Sequence, residues 1–224
     1  MALLGICRHL SNQDMPYSAL LNMVPCGVVV LNTRGRILRA NAHAADIFRD
    51  NPDVRADKGF LRARSVAHNR ALSDALAKLA NSEIPQPIGF SIARSTRRPI
   101  SIVLAKLPPR PAEAAPNGET ARIAAFITDP DLNVRPNGQL LRDLFQFTPV
   151  ETSIAILMME HRDTSRIAKE LHITNNTLRE HLKLMFPKVN ARNQIELLHV
   201  LLCCPARFRF PSATAQDLKD TPSK

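Results

Sequence analysis

The sequence has little of several features that mark whole classes of protein. Its 224 residues hold only 7 glycines, which cannot sustain a Gly-X-Y repeat, so a collagen-like rod is excluded. The four cysteines, Cys7, Cys26, Cys203 and Cys204, are too few for a disulfide scaffold and lack zinc-motif spacing. The longest apolar runs, such as Ile154–Met159, are far shorter than the ~20 residues of a membrane span. We therefore expect a cytoplasmic protein with no membrane partner, whose cysteines are small buried apolar residues.

The side-chain constellations of enzymes are missing too. No Ser/His/Asp or Cys/His arrangement, no paired carboxylates and no Gly-rich phosphate loop stands out in the sequence. The sequence therefore predicts a protein that is not an enzyme, with no catalytic residue, no metal site and no cofactor.

What is present is an ordinary apolar fraction and a large positive charge. Hydrophobic residues make up 45% of the chain, and 30 Lys+Arg against 20 Asp+Glu leave a net charge of +10. Such a balance favours a polyanionic partner, either nucleic acid or an anionic membrane. Residues 16–129 hold 16 basic and 9 acidic side chains, whereas residues 141–204 hold 8 and 7. Bulk charge therefore supports only a loose attraction, and mostly through the first half of the chain.

Short apolar runs and turn residues predict an α+β domain over residues 16–129. Gly27–Leu31 and Arg36–Ala40 flank a turn and are typical of a hairpin, after which Asn41 can cap a short helix. Residues 50–58 are polar and are expected to form a loop. An amphipathic helix and three further strands follow, at Val66–Ala80, Ile88–Ala93, Ile100–Leu107 and Arg122–Thr128. This order favours an antiparallel five-stranded sheet with helices on one face.

Turn formers at residues 130–138 predict a linker, beyond which the pattern is almost purely helical. Thr148, Pro149 and Glu151 have the spacing of a capping box. Asp163 or Thr164 can cap the next helix, and Thr174 can cap the one after it. The four helices of this all-α domain, residues 139–204, are expected at 149–160, 165–171, 175–186 and 192–202, and residues 205–224 as a disordered tail. The tight turn between the second and third helices indicates a helix-turn-helix.

The third helix has one apolar and one polar face. Leu178, Leu182 and either Met185 or Phe186 recur at core spacing. The opposite face carries donors and acceptors suited to base edges, because Arg and Lys can pair with guanine, Asn with adenine and Glu with cytosine. These residues are Asn175, Asn176, Arg179, Glu180 and Lys183.

Phe147–Leu202 resembles the DNA-binding domain of LuxR-type (GerE-like) transcriptional regulators. The match runs through Thr148-Pro-x-Glu151, Ile167-Ala-x-x-Leu171, Ile173-Thr-x-Asn-Thr-Leu-Arg-x-His-Leu182 and Lys188-x-x-x-Arg192-x-x-x-Glu196-Leu197. The resemblance implies a regulator that binds double-stranded DNA with its third helix and works as a homodimer. It assigns base reading to Arg179, Glu180 and Lys183, and backbone contact or support to Thr174, Asn176, Thr177 and His181, with Asn175 on the same surface. It assigns dimerisation to one face of the fourth helix, formed by Ile195, Leu198 and Leu202.

The sequence departs from the family pattern at four positions. His161 and His172 stand where glycines are usual, Glu180 adds a negative charge to the reading face, and Pro187 falls where the third helix normally continues. Glu180 can accept from a cytosine or orient Arg179. The departures support an alternative hypothesis, an interaction module whose helix-turn-helix pairs with another regulator instead of binding DNA.

The N-terminal domain is similar to PAS sensor domains. The similarity rests on Pro25-x-Gly27-Val-Val-Val-Leu-Asn-Thr-Arg-Gly-Arg-Ile37, followed by Ala40-Asn41 opening a helix. It implies a five-stranded sheet that binds small ligands or mediates dimerisation, so a small-molecule ligand is a candidate partner.

A few other residues are of types that can bind a ligand or sense redox state, although the pattern favours an ordinary structural role for each. His43 and His68 could be imagined as haem ligands, but neither lies in a haem motif, so surface or satisfied histidines are favoured. Cys26 could sense redox state, yet it precedes an apolar strand, which favours a buried, inert thiol. The run Arg94–Arg98 could clamp a phosphate or ligand, but a solvated hairpin turn is favoured.

Overall fold

The computed structural model describes residues 15–82, 86–108, 122–132, 135–161 and 163–210. The chain divides into two compact units, one up to residue 132 and the other from residue 133 onward. The predicted linker, residues 130–138, straddles this boundary. Expectations for residues 1–14, for most of the loop between the last two strands and for residues 211–224 lie outside the described residues.

The first unit is built on a five-stranded antiparallel sheet, as predicted. The strands lie in the order β2-β1-β7-β6-β5. Its elements along the chain are α1 (Met15–Met23), β1 (Gly27–Leu31), β2 (Ile37–Ala40), α2 (Ala42–Asp50), β3 (Val54–Asp57), β4 (Phe60–Ala63), α3 (Val66–Asn81), β5 (Ile88–Ile92), β6 (Ile100–Lys106) and β7 (Ile123–Thr128).

One face of the sheet forms the core. Strand β6 shows why, since Ile100, Ile102 and Leu104 are buried while Ser101 and Val103 between them are exposed. This period of two is that of a strand with one covered face. Helices α2 and α3 contribute their buried faces to the same cluster.

The residues that carry the N-terminal signature have a structural role. The Asn41 side chain accepts from the backbone N–H of Val28 and of Ala44, both at 2.9 Å. Its amide donates to the carbonyl oxygens of Leu21 and Cys26, at 2.8 and 2.9 Å. One buried side chain therefore joins the end of α1, the start of β1 and the first turn of α2.

The polar stretch 50–58 is not the predicted loop throughout. It contains β3, which pairs with β4 through a two-residue turn at Lys58 and Gly59. Both turn residues have positive φ, 50° and 83°, which is the conformation that twists a two-residue hairpin correctly. The prediction is wrong because a Lys-Gly pair in a polar run is a weak turn signal.

The prediction of a solvated turn is also wrong for Arg94. Its side chain is only 3% exposed and lies 2.8 Å from Asp129 and 2.9 Å from Asp131. Asn51 donates to the same Asp129 carboxylate at 2.7 Å. Burial by itself would raise the pKa of Asp129, but hydrogen bonds from Arg94, from the Asp131 N–H and from Asn51 outweigh it and hold the pKa below its usual value. Arg94 is therefore a structural residue of the first unit.

The second unit is helical. It consists of α4 (Gly138–Phe145), α5 (Pro149–Glu160), α6 (Thr164–Glu170), α7 (Asn175–Lys188), α8 (Gln194–Cys203) and a 3-10 turn (Pro205–Arg207). The four predicted helices are present, α7 ends two residues later than expected, and α8 begins at Gln194 rather than Arg192.

Two parts of this unit differ from expectation. Helix α4 was not predicted: Asn137 caps it by accepting from Gln139 and Leu140, and Leu141 is fully buried. Residues 205–210 lie in the described structure, and Ala206 is also fully buried, with its carbonyl accepting from the Asn137 N–H at 2.8 Å. The disordered tail predicted from residue 205 therefore does not begin there.

Candidate nucleic-acid interface

The helix-turn-helix is held by caps and by a turn closed with backbone hydrogen bonds. Asp163 caps α6 by accepting from the Ser165 N–H at 2.9 Å. The turn closes where the Ile173 N–H donates to the Ala168 carbonyl at 3.0 Å. Thr174 then caps α7 by accepting from the Thr177 N–H at 3.1 Å. These local bonds fix where α7 begins and the direction in which it leaves the turn.

Packing fixes the rotation of α7 about its axis. Leu178, Leu182 and Met185 are 1%, 5% and 0% exposed and belong to one core cluster with residues of α5, α6 and α8. Phe186 packs on the edge of that cluster. The predicted apolar spacing is therefore the buried face, and the opposite side chains must face away from the core.

All predicted DNA-contacting residues lie on α7 or at its cap. Thr174, Asn175, Asn176, Thr177, Arg179, Glu180 and Lys183 are exposed, and His181 is half-buried. The Lys183 Nζ lies 2.8 Å from the Glu180 Oε1. Arg179 has no ion-pair partner within the described part of the chain. In this structure Glu180 therefore engages Lys183 and does not orient Arg179.

Leu184 also lies on this surface, although it is not among the DNA-contacting residues predicted from the sequence. It is 59% exposed and lies one turn beyond Glu180 on α7. The sequence does contain a sign of this: Leu184 is apolar but does not fall at the spacing of the buried residues of α7. An exposed apolar side chain among donors can contact a thymine methyl group.

A partly buried ion pair joins the far end of α7 to the start of α5. The Lys188 Nζ donates to the Glu151 Oε2 at 2.6 Å, and the same oxygen accepts from the Thr148 N–H at 2.7 Å. Burial would raise the pKa of Glu151, but the hydrogen bonds from Lys188 and Thr148 outweigh it and lower that pKa. Glu151 therefore completes the predicted capping box and anchors α7 as well.

Comparison with known proteins agrees with this arrangement. Residues 146–201 match the family model of bacterial regulatory proteins of the luxR family, and residues 17–80 match a PAS domain model. The chain therefore carries a PAS domain followed by a LuxR-type domain. Both resemblances found in the sequence are confirmed, and neither matched family is one of enzymes.

The solved structures to which the chain is similar share little of its sequence. A phage VqmA in complex with DPO is 14% identical, with a TM-score of 0.36, over 94% of this chain and 96% of that chain. The Vibrio cholerae VqmA dimer without target DNA is 13% identical, with a TM-score of 0.35, over 86% and 87%. The PAS domain of Bordetella pertussis BvgS is 20% identical, with a TM-score of 0.35, over 60% and 96%. No curated protein matches the chain significantly.

The departures from the LuxR-type pattern are accommodated in different ways. His161 caps α5 and places its Nε2 3.2 Å from Glu170. Pro187 lies in the last turn of α7, so the hydrogen bond that its missing N–H would make is lost only at the end of the helix. His172 adopts φ 54°, a left-handed conformation that favours glycine. Of these, only His172 is strained.

We expect His172→Gly to stabilise the LuxR-type domain by about 1 kcal/mol, because glycine adopts positive φ without the steric cost that a Cβ incurs. Urea denaturation of the full chain would measure the change. His172→Ala is the matched control, since it removes the imidazole but keeps the Cβ. Equal stability of the glycine and alanine variants would contradict this account.

The predicted dimerisation residues divide between core and surface. Ile195 and Leu202 on α8 are 80% and 40% exposed, while Leu198 is half-buried against the core. Leu197 and Leu201 are fully buried and hold the helix in place. The cysteine prediction is right for Cys204, which is buried, and wrong for Cys203, which is exposed.

The PAS domain contains a cavity of about 260 Å³ beside its N-terminal helix. It lies between α1, strands β1 and β2, and α2. Its lining is mostly apolar and includes Tyr17, Leu21, Val28, Val30, Arg39 and Phe48. The cavity is large enough for a small organic molecule with one polar end.

The PAS domain holds His43, His68 and Cys26 as buried or half-buried side chains. His43 is buried, His68 is half-buried, and Cys26 is half-buried with a thiol pKa raised by burial, which suits an inert thiol. Among the described residues, no three or more His, Cys, Asp or Glu side chains come together as a metal site. No helix in the described ranges has the length and apolarity needed to cross a membrane.

Proposed function

We propose that this LuxR-type regulator binds specific DNA sequences and that α7 reads the major groove. The observation that carries the proposal is the division of α7 into a buried apolar face and an exposed face of donors and acceptors. Arg179 presents a guanidinium that can bond both acceptors of a guanine. The N-terminus of α7 adds a partial positive charge toward a phosphate.

We also propose that the regulator acts as a homodimer in the cytoplasm, under control of the PAS domain. The exposed Ile195 and Leu202 on α8 would be covered in a dimer. Two α7 helices related by a twofold axis would enter successive major grooves about 34 Å apart. The cavity beside α1 is the candidate site for a small molecule that biases this arrangement.

A salt titration of the full chain on random duplex DNA tests the proposal. A dimer that neutralises about 6–10 phosphates should lose about 10³–10⁵-fold in affinity between roughly 50 and 200 mM salt. Sedimentation of the complex should give two chains per selected duplex. Affinity that is independent of salt would contradict DNA binding.

The alternative, a module that pairs with another regulator, is favoured by one observation. The Glu180–Lys183 ion pair neutralises one of the cations on the reading face. A module of this kind would show no steep salt dependence on DNA. It would instead bind a second regulator when DNA is absent, so the same titration decides between the two functions.

A further inference from the structure

Helix α8 carries a cysteine and a histidine on its exposed face. His199 and Cys203 are both exposed and lie one helical turn apart. The Cys203 Sγ lies 3.9 Å from the His199 Nε2. The two side chains therefore already converge on the same point in solvent.

This separation is close to that of two ligands on one metal ion. A zinc ion binds a thiolate sulfur at about 2.3 Å and an imidazole nitrogen at about 2.0–2.1 Å. With tetrahedral geometry these bonds place the two ligand atoms about 3.6 Å apart. A few tenths of an ångström of side-chain movement would bring Sγ and Nε2 to that distance.

One copy of the chain supplies only half of a tetrahedral site. Among the described residues no third His, Cys, Asp or Glu joins the pair. Ile195 and Leu202, exposed apolar residues of the same helix, lie about one turn before and one turn after His199. Around a twofold axis, a face that meets its own copy brings the same two ligands from each side. The set then becomes two thiolates and two imidazoles, a closed zinc site.

We propose that His199 and Cys203 from two copies of this chain bind one tetrahedral, thiolate-preferring divalent ion, such as Zn²⁺, and thereby join two α8 helices. The proposal rests on the homodimer of the proposed function. Each Cys203 thiol gives up its proton and each His199 binds through its neutral ring, so two protons are released for each ion bound. The C-terminal end of α8, where Cys203 lies, carries a partial negative charge that favours a cation.

Cobalt provides a direct test, because tetrahedral Co²⁺ bound by thiolates has strong visible and near-ultraviolet bands. The protein would be the full chain with Cys7→Ser and Cys26→Ser, so that neither of those thiols contributes. We expect saturation at one ion for every two chains, and displacement by Zn²⁺. At metal concentrations 100 times the Kd, linkage should shift the monomer–dimer equilibrium about 100-fold toward dimer in sedimentation experiments.

Two variants separate the proposed site from adventitious binding. Cys203→Ser should abolish the charge-transfer band, and His199→Ala should weaken Co²⁺ binding and remove the metal-dependent shift toward dimer. Thermal unfolding without metal would show that both variants are folded. A ratio of one ion per chain, or the same band in Cys203→Ser, would overturn the proposal.

DNA binding measured in EDTA keeps this inference separate from the proposed function. Binding of one ion by two chains that do not bind DNA would support the metal site and contradict the proposed function. DNA binding by a chain that does not take up Co²⁺ would overturn the metal site alone.

Discussion

Replacing Arg179 by alanine should weaken binding to a selected duplex by about 1–3 kcal/mol, which is roughly 5- to 150-fold, and should relax specificity at one base pair. Arg179 is the exposed cation on α7 that has no ion-pair partner within the described structure, so no internal contact must be broken before it meets DNA. Its removal would leave the acceptors of a guanine unpaired in a dehydrated interface, which is the source of the cost.

Adding Lys183→Ala to Arg179→Ala should weaken binding to the selected duplex further. The salt dependence of the affinity shows whether Lys183 contacts a phosphate or a base. Lys183 must leave Glu180, 2.8 Å away, before it can contact DNA. If Lys183 contacts a phosphate, the salt slope should fall by about 1 while sequence preference is kept. If Lys183 contacts a base, the salt slope should stay unchanged and the sequence preference at that base pair should become weaker.

Arg142→Ala is the matched control for both variants. Arg142 is a half-buried residue of α4 in the same unit, where it donates to the Gln139 side chain at 2.6 Å. Affinity for the selected duplex should change little. Wild-type affinity in the Arg179→Ala, Lys183→Ala double variant would show that α7 does not read DNA.

Features that depend on neighbours in the sequence were predictable. The capping box at Thr148 and Glu151 and the buried spacing of Leu178, Leu182 and Met185 involve residues within two helical turns. Their chemistry is local, so spacing alone is sufficient. For the same reason Arg179 could be placed on the exposed face of α7 without a structure.

Features that depend on distant partners were not predictable. Arg94 and Asp129 are 35 residues apart in the chain, and only the order of the strands brings them together. A run of arginines on a turn looks solvated until that partner is known. Helix α4 is short, follows turn formers, and is stabilised by burial of Leu141 more than by its own pattern.

The charged surface of α7 was predictable only in part. Sequence placed Glu180 beside Arg179 and Lys183 but left two roles open for it. The structure pairs Glu180 with Lys183, because residues three apart on a helix are neighbours. Helical spacing already favours Lys183 over Arg179 as the partner of Glu180, because adjacent residues on a helix do not face each other.

Arg94→Ala should destabilise the PAS domain by about 3–5 kcal/mol, because it leaves a buried carboxylate without its cation. The Arg94 and Asp129 side chains are 3% and 5% exposed, so water cannot replace the lost partner well. Urea denaturation of the full chain, followed by a probe in the PAS domain, would measure the change. Arg98→Ala is the control: its side chain is 54% exposed and 3.9 Å from Asp131, so about 0–1 kcal/mol is expected.

Acid should narrow the difference between wild type and Arg94→Ala. In the wild type the lowered pKa of Asp129 adds stability above the unfolded-state pKa of about 3.9, and this stability is lost as pH falls through the folded pKa. Without Arg94, burial should raise the pKa of Asp129. Protonation of Asp129 at low pH then removes the unpaired buried charge, and the free energy of unfolding of the variant moves closer to that of the wild type. The difference in unfolding free energy should therefore be largest near pH 7 and should shrink below about pH 4. A constant difference between pH 7 and pH 3 would mean that Arg94 stabilises the fold by packing and not by its charge.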